Sequence, residues 1–130
     1  MKIDHIALIS PNIDIMKDFY VHHFNACAND LYHNEKTGLK TYFLSFASGV
    51  RLEIMSRPDM QNIKSDGFNA GYAHIAFSVA DDAAVDDVIA RLALEGVEVI
   101  GKPRRTGDGY YESVILDPDG NHIEIVSEKH

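Results

Sequence analysis

The sequence is short of cysteine, of positive charge and of long apolar runs, and each shortage closes a class of function. Cys27 is the only cysteine among 130 residues. No internal disulfide can form, and a reducing compartment is expected. Lysine and arginine number 12 against 20 aspartates and glutamates, a net charge of −8. Such a chain repels phosphate backbones and anionic lipid, which argues against nucleic acid or a membrane as partner. The opening "MKIDHIALIS" holds too short an apolar run for a signal peptide, and no segment reaches membrane-spanning length. A cytoplasmic protein is the expectation. No stretch is of low complexity. What is present is 45% apolar and 25% charged residue, a composition that builds a globular core.

The chain repeats itself. "DHIALIS" at 4–10 returns as "AHIAFSV" at 73–79, and "RLEIM" at 51–55 returns as "HIEIV" at 122–126. A helix is expected after each first strand. In "PNIDIMKDFYVHHF" Ile13, Met16, Tyr20 and Phe24 fall at helical spacing behind Asn12 as N-cap. In "ADDAAVDDVIARLALEG" the stripe is Val85, Val88, Ile89 and Leu92. Asp81 and Asp82 stand at the positive start of that helix, and Gly96 suits its end. Strands are expected at roughly 26–33, 40–47 and 50–56, then at 97–102, 110–117 and 121–127. "DPDG", Asp117 to Gly120, joins the last two as a hairpin. Each half reads strand–helix–strand–strand–strand, an α+β fold of two tandem βαβββ modules. The expected organisation is one domain over 1–130, with module one at 1–56, a polar linker at 57–71 and module two at 72–130.

Alternation along strands sorts the side chains. His5 shares a face with Ala7 and Ile9, and His74 with Ala76 and Ser78. Glu53 lies with Arg51 and Met55, and Glu124 with His122 and Val126. In each strand the strongly apolar set faces the other way. His5 and His74 are 69 residues apart, and Glu53 and Glu124 are 71 apart, so the two pairs keep register. A lone strand histidine is ordinarily a core residue, and a lone glutamate ordinarily faces water. A duplicated set of four is a different matter. Brought together, two imidazoles and two carboxylates make an N₂O₂ site suited to Zn²⁺, Ni²⁺, Co²⁺, Fe²⁺ or Mn²⁺ rather than Ca²⁺. A cation also offsets the cost of desolvating the glutamates.

The order His5, Glu53, His74, Glu124 on duplicated modules, with "GYAHIAFSV" and "DPDGNHIEIV" in the second, resembles the glyoxalase/bleomycin resistance/dioxygenase (vicinal oxygen chelate) superfamily. Within it the set is most similar to glyoxalase I. The resemblance spans essentially the whole chain. It implies a sheet curled around one divalent metal and a homodimer, with ligands drawn from one chain or two. It implies a lyase or isomerase of the lactoylglutathione lyase type, in which Glu124 moves the proton beside a chelated carbonyl and Glu53 is the partner carboxylate. The two roles are interchangeable by symmetry. Epimerase-like relatives carry Gln at the position of Glu53. Thiol transferases and dioxygenases of the family use three protein ligands, and binding-only resistance proteins tend to lack the set; these are the alternative functions. Positions that hold Arg and Asn in glutathione-dependent members are Ile9 and Arg57 here.

Other residues are weighed against plain structural roles. His22 and His23 fall on the first helix, and His33 and His130 are peripheral. His122, two residues before Glu124, competes as a ligand. Cys27 is expected to pack as a small hydrophobe. "GKPRRTGDGYYES", 101–113, reads as a loop whose Lys102, Arg104 and Arg105 hold an anionic substrate, with Tyr110 and Tyr111 as pocket walls. Arg51 is placed to bond Glu53 or a substrate anion, and Arg57 to join the rim. The expected ligand is a small anionic oxo-metabolite, or a thiol conjugate other than glutathione.

Overall fold

The computed structural model describes residues 1–63 and 68–129. Part of the expected linker, 64–67, and His130 lie outside the described residues. The chain divides into two compact units, Met1–Ile63 and Lys64–His130, and each repeats one plan.

In the first unit, β1 (His5–Ile9) leads into α1 (Ile13–Phe24). The short β2 (Cys27–Ala28) and β3 (Tyr32–His33) follow, then β4 (Lys40–Ser45) and β5 (Arg51–Ser56). The sheet order is β1-β5-β4-β2, with β3 also on β4. Asn12 caps α1 as expected, its side chain accepting the Ile15 amide at 3.3 Å. The helix stops where Asn25 turns left-handed at φ 54°. α1 buries Ile13, Met16 and Tyr20 against Tyr42, Leu44, Leu52 and Ile54 of the sheet. A fully buried residue such as Leu44 contributes about 1.5–3 kcal/mol.

The strand expected over 26–33 is broken in two. Asn29 is the reason: its side-chain oxygen takes the Phe43 amide at 2.8 Å, and its own amide donates to the Phe43 carbonyl at 3.1 Å. A side chain thus replaces a strand partner. Cys27 is exposed rather than packed, and its neighbour Ala26 is the buried residue.

The second unit holds β6 (His74–Val79), α2 (Asp82–Leu94), β7 (Val99–Arg105), β8 (Tyr111–Leu116) and β9 (His122–Ser127), with sheet order β6-β9-β8-β7. Asp81 caps α2 by accepting the Ala84 amide at 3.0 Å, and Gly96 ends it at φ 85°. Val85, Ile89 and Leu92 are buried on Ile115, Ile123 and Ile125. The "DPDG" hairpin forms. Gly120 donates to the Asp117 carbonyl at 2.9 Å, and the Asp117 carboxylate accepts the amides of Asp119 and Asn121 at 3.0 and 2.9 Å. That turn sets the register of β9 and with it the position of Glu124.

The segment expected to be a loop at 101–113 is a hairpin. β7 runs on to Arg105 and β8 begins at Tyr111. Proline and glycine suggest a loop, but β7 is the last strand of its sheet and its pairing slips between Gly101 and Arg104. An edge strand with a bulge tolerates Pro103.

Candidate functional site

In both units the first strand runs parallel to the last. In the first, His5 lies opposite Arg51, and Ala7 opposite Glu53. In the second, His74 lies opposite His122, and Ala76 opposite Glu124. The histidine and the glutamate are therefore diagonal neighbours, on the sheet face turned away from their own helix. His5 Nε2 stands 3.4 Å from Glu53 Oε2, and His74 Nε2 stands 3.2 Å from Glu124 Oε2. The duplicated sequence produces a duplicated pair of donors.

The surroundings of the two pairs differ. His5 Nδ1 contacts Asp4 Oδ2 at 2.8 Å, and Arg51 Nη2 donates to the same oxygen at 2.6 Å. These hydrogen bonds, that of His5 foremost, hold the Asp4 carboxyl below the usual aspartate range. The Arg51 guanidinium lies over the Phe43 ring at 4.6 Å, and the Phe43 ring meets the His5 ring edge-on at 5.4 Å. The buried Thr41 hydroxyl donates to Glu53 Oε1 at 3.2 Å. Arg51 thus serves Asp4 rather than Glu53.

Beside the second pair lie acids. Glu112 of β8 shares the face of Glu124. Its partner is Arg104, at 3.4 Å. An open cavity of about 350 Å³ is lined by His74, Tyr110, Glu112, Glu124 and Val126, with Thr106 and Asp108 of the β7–β8 turn. Burial pushes the Glu124 carboxyl above the usual glutamate range. His74 and Arg104 oppose the shift, and Glu112 and Asp108 add to it.

Other expected site residues fall elsewhere. Arg105 and Tyr111 lie on the helix side of their sheet. Arg105 pairs with Asp82 and donates to the Gly109 carbonyl at 2.8 Å. The Tyr111 hydroxyl donates to Asp86 of α2 at 2.9 Å. Neither faces the His74–Glu124 pair, because residues next to Arg104 and Glu112 along a strand point the opposite way. Arg57 lies beyond β5 and is bidentate with Asp59 at 3.0 and 3.2 Å. The cavity it lines, about 290 Å³, includes Thr37, Leu39 and Pro58 but neither His5 nor Glu53. Lys102 is exposed on β7. His122 stays on the Glu124 face, beside His74 in register. Sequence reasoning passed over Asp4, Thr41 and Glu112. Asp4 directly precedes a singled-out histidine, but its bond to Arg51 spans 47 positions.

The donor chemistry fits a borderline divalent ion. Each half offers an imidazole nitrogen and a carboxylate oxygen within one coordination distance of a shared point, and in the first half the other ring nitrogen is already engaged by a carboxylate.

A parallel first-to-last strand pair closing an antiparallel meander beneath one helix, made twice and each time bearing a His–Glu pair, defines the paired βαβββ modules of the vicinal oxygen chelate fold. The chain belongs to the Glyoxalase/Bleomycin resistance protein/Dioxygenase superfamily, whose family model matches residues 2–125. It is 28% identical over 129 residues to the uncharacterized protein YwkD of Bacillus subtilis (strain 168), covering 98% of this chain and 97% of that one. Among solved structures it is similar to a glyoxalase family protein from Enterococcus faecalis, with TM-score 0.81, 24% identity and 96% of each chain covered. It is also similar to the trypanothione-dependent glyoxalase I of Leishmania major, with TM-score 0.77, 21% identity, and 99% of this chain and 88% of that one covered. Among the described residues no helix is long and apolar enough to cross a membrane.

Proposed function

We propose that the protein is a divalent-metal-dependent lyase or isomerase of the glyoxalase I type, with His5, Glu53, His74 and Glu124 as the protein ligands. The observation that carries this reading is the repeated diagonal pair, imidazole Nε2 within 3.4 Å of a carboxylate oxygen in each unit. In this reading residues 1–130 act as one domain, module one at 1–56 and module two at 72–130 joined by the linker at 57–71. The two half-sites serve one ion, supplied by one chain or by two copies in a homodimer. The homodimer accords with the open edge that β1 and β6 each give their sheet. A cytoplasmic setting fits the lone, exposed thiol.

When bound, the ion supplies Lewis acidity to the carbonyl of a substrate with neighbouring oxygens. The rest falls to the chain. Glu124 takes the proton from the carbon beside that carbonyl and returns it one carbon along. Its desolvated carboxyl, beside Glu112 and Asp108, favours a bound proton more than an ordinary glutamate does. Glu53, steadied by the Thr41 hydroxyl, acts as the fixed carboxylate. Tyr110 and Val126 wall the reacting carbons on the second unit's side.

The substrate is a small oxo-compound or a thiol conjugate other than the glutathione one. Ile9 is half exposed where glutathione-dependent relatives hold a cation, and Arg57 is spent on Asp59. An anionic substrate group would have to compete for Arg51 with Asp4, or for Arg104 with Glu112. Elemental analysis of gently purified protein, followed by assay of the metal-loaded chain on hemithioacetals of several thiols, tests the reading. Near-stoichiometric divalent metal and turnover of a non-glutathione conjugate are expected. Protein that takes up no divalent metal would overturn it. So would activity that consumes dioxygen, or that joins a thiol irreversibly to a substrate carbon instead of isomerising a hemithioacetal, which is the signature of the dioxygenase and transferase relatives.

A further inference from the structure

We propose that Asp4 is a positioning residue for the metal centre: its carboxylate holds the His5 ring by Nδ1, so that Nε2 is the nitrogen offered to the ion. The inference rests on the reading of His5 as a ligand and adds a residue and an asymmetry to it.

Asp4, His5, Phe43 and Arg51 form a closed circuit. Asp4 Oδ2 meets His5 Nδ1 at 2.8 Å and Arg51 Nη2 at 2.6 Å. Arg51 lies over the Phe43 ring, and that ring packs against the edge of the imidazole at an interplanar angle of 81°. Three neighbours thus determine where the imidazole plane points. The two ring nitrogens lie on different edges of the ring. Both nitrogens face a carboxylate, but Asp4 is within hydrogen-bond distance of Nδ1 at 2.8 Å and Glu53 stands off from Nε2 at 3.4 Å, which favours Nδ1 as the donor and Nε2 as the lone pair. A carboxylate bonded to the free nitrogen of a metal-ligating histidine fixes its tautomer and raises its basicity. Arg51 keeps Asp4 in place by a charge-assisted bond.

The second unit supplies an internal control. The residue before His74 is Ala73. Register puts His122 where Arg51 stands and Val114 where Phe43 stands. Every member of the circuit except the histidine is replaced, although the pairing of strands is the same. The brace is therefore not a by-product of the fold; it depends on side chains found in one module only. His5 is the braced imidazole, whereas His74, 3.2 Å from Glu124, has Ala73, Val114 and His122 in the places of Asp4, Phe43 and Arg51.

The test is titration of metal-free full-length protein with Zn²⁺ by calorimetry, for the natural chain and for Asp4→Ala, Asp4→Asn, Arg51→Ala and His5→Ala. Asp4→Ala should weaken Zn²⁺ binding about ten- to hundred-fold. Asp4→Asn, which keeps an acceptor, should recover part of the loss, and Arg51→Ala should weaken binding less than Asp4→Ala. Unchanged affinity in Asp4→Ala, with binding lost in His5→Ala, would overturn the positioning role and leave the metal reading standing. A natural chain that binds no Zn²⁺, or a His5→Ala variant that binds it as well, would overturn the metal reading itself. A second readout needs no variant to fold. ¹⁵N resonances of the neutral His5 ring in the metal-free natural chain should show the proton on Nδ1, whereas a proton on Nε2 would overturn the proposal.

Discussion

At His5 the imidazole is flanked by a carboxylate, an aromatic edge and, through them, a guanidinium; at His74 the same backbone position is flanked by Ala73, Val114 and His122. The glutamates contrast in the opposite sense. Both glutamate side chains are largely shielded from solvent, but Glu53 accepts from a buried threonine hydroxyl, while Glu124 lies among Glu112, Asp108 and Arg104. Duplication supplies two equal pairs of donors, and divergence of their neighbours gives each pair its own surroundings; in the function proposed above the first pair holds the ion and the second moves the proton.

The sharpest way to break this comparison is to exchange the carboxylates for amides. Glu124→Gln should lower turnover about 10²–10⁴-fold, and Glu53→Gln should cost less at saturating metal, because its carboxylate holds rather than transfers. Parallel measurement of kcat and metal content decides the matter. A larger kcat loss in Glu53→Gln would reverse the assignment. Large effects of another kind should appear in the cores, and there the units should behave alike. Leu44→Ala in one and Ile125→Ala in the other should each cost about 2–5 kcal/mol in denaturant unfolding. A cost confined to one unit would mean that the halves differ in packing as well as in chemistry.

Acidity separates the halves by sign. The Asp4 carboxyl is lowered in the folded protein, so its contribution is present above the ordinary aspartate pKa and lost as pH falls through its lowered value. The Glu124 carboxyl is raised, so the metal-free protein has its contribution below the ordinary glutamate pKa and loses it as pH rises through the raised value. Melting curves taken from strongly acidic to neutral pH should show Asp4→Asn flattening the loss at the acid end, below the ordinary aspartate pKa, and Glu124→Gln flattening the loss as pH rises above the ordinary glutamate pKa. Both variants altering the same limb would contradict the contrast. The smallest expected effects are at the helix caps. Asn12→Ala and Asp81→Ala should each cost about 1 kcal/mol, with Asp81 the more costly because it also faces Lys129 at 3.5 Å.

Much of this fold is legible in advance. The cap at Asn12, the acidic start of α2 at Asp81 and Asp82, the turn at Asp117–Gly120 and the side of each strand that bears its His or Glu follow from local rules. The errors have local causes too. "GKPRRTGDG" carries the residues of a loop, yet an edge strand with a slipped register accommodates them. The stretch 26–33 alternates like a strand, yet the Asn29 side chain interrupts the ladder. The basic cluster of Lys102, Arg104 and Arg105 looks like one anion site, but alternation sends Arg104 to Glu112 on one face and Arg105 to Asp82 on the other.

By itself, then, the sequence determined the doubling of the module, the helices and the side of each sheet on which His5, Glu53, His74 and Glu124 stand. Those properties depend on spacings of a few residues, where the 3.6-residue and two-residue periods act directly. Tertiary structure decided which charges are spent and which remain to do chemistry. Arg51 goes to Asp4 across the parallel β1–β5 pair, and Glu112 comes beside Glu124 across β8 and β9. Such partnerships depend on strand order and register, which bring together residues that no local pattern connects, and it is there that the two copies of one motif came to differ.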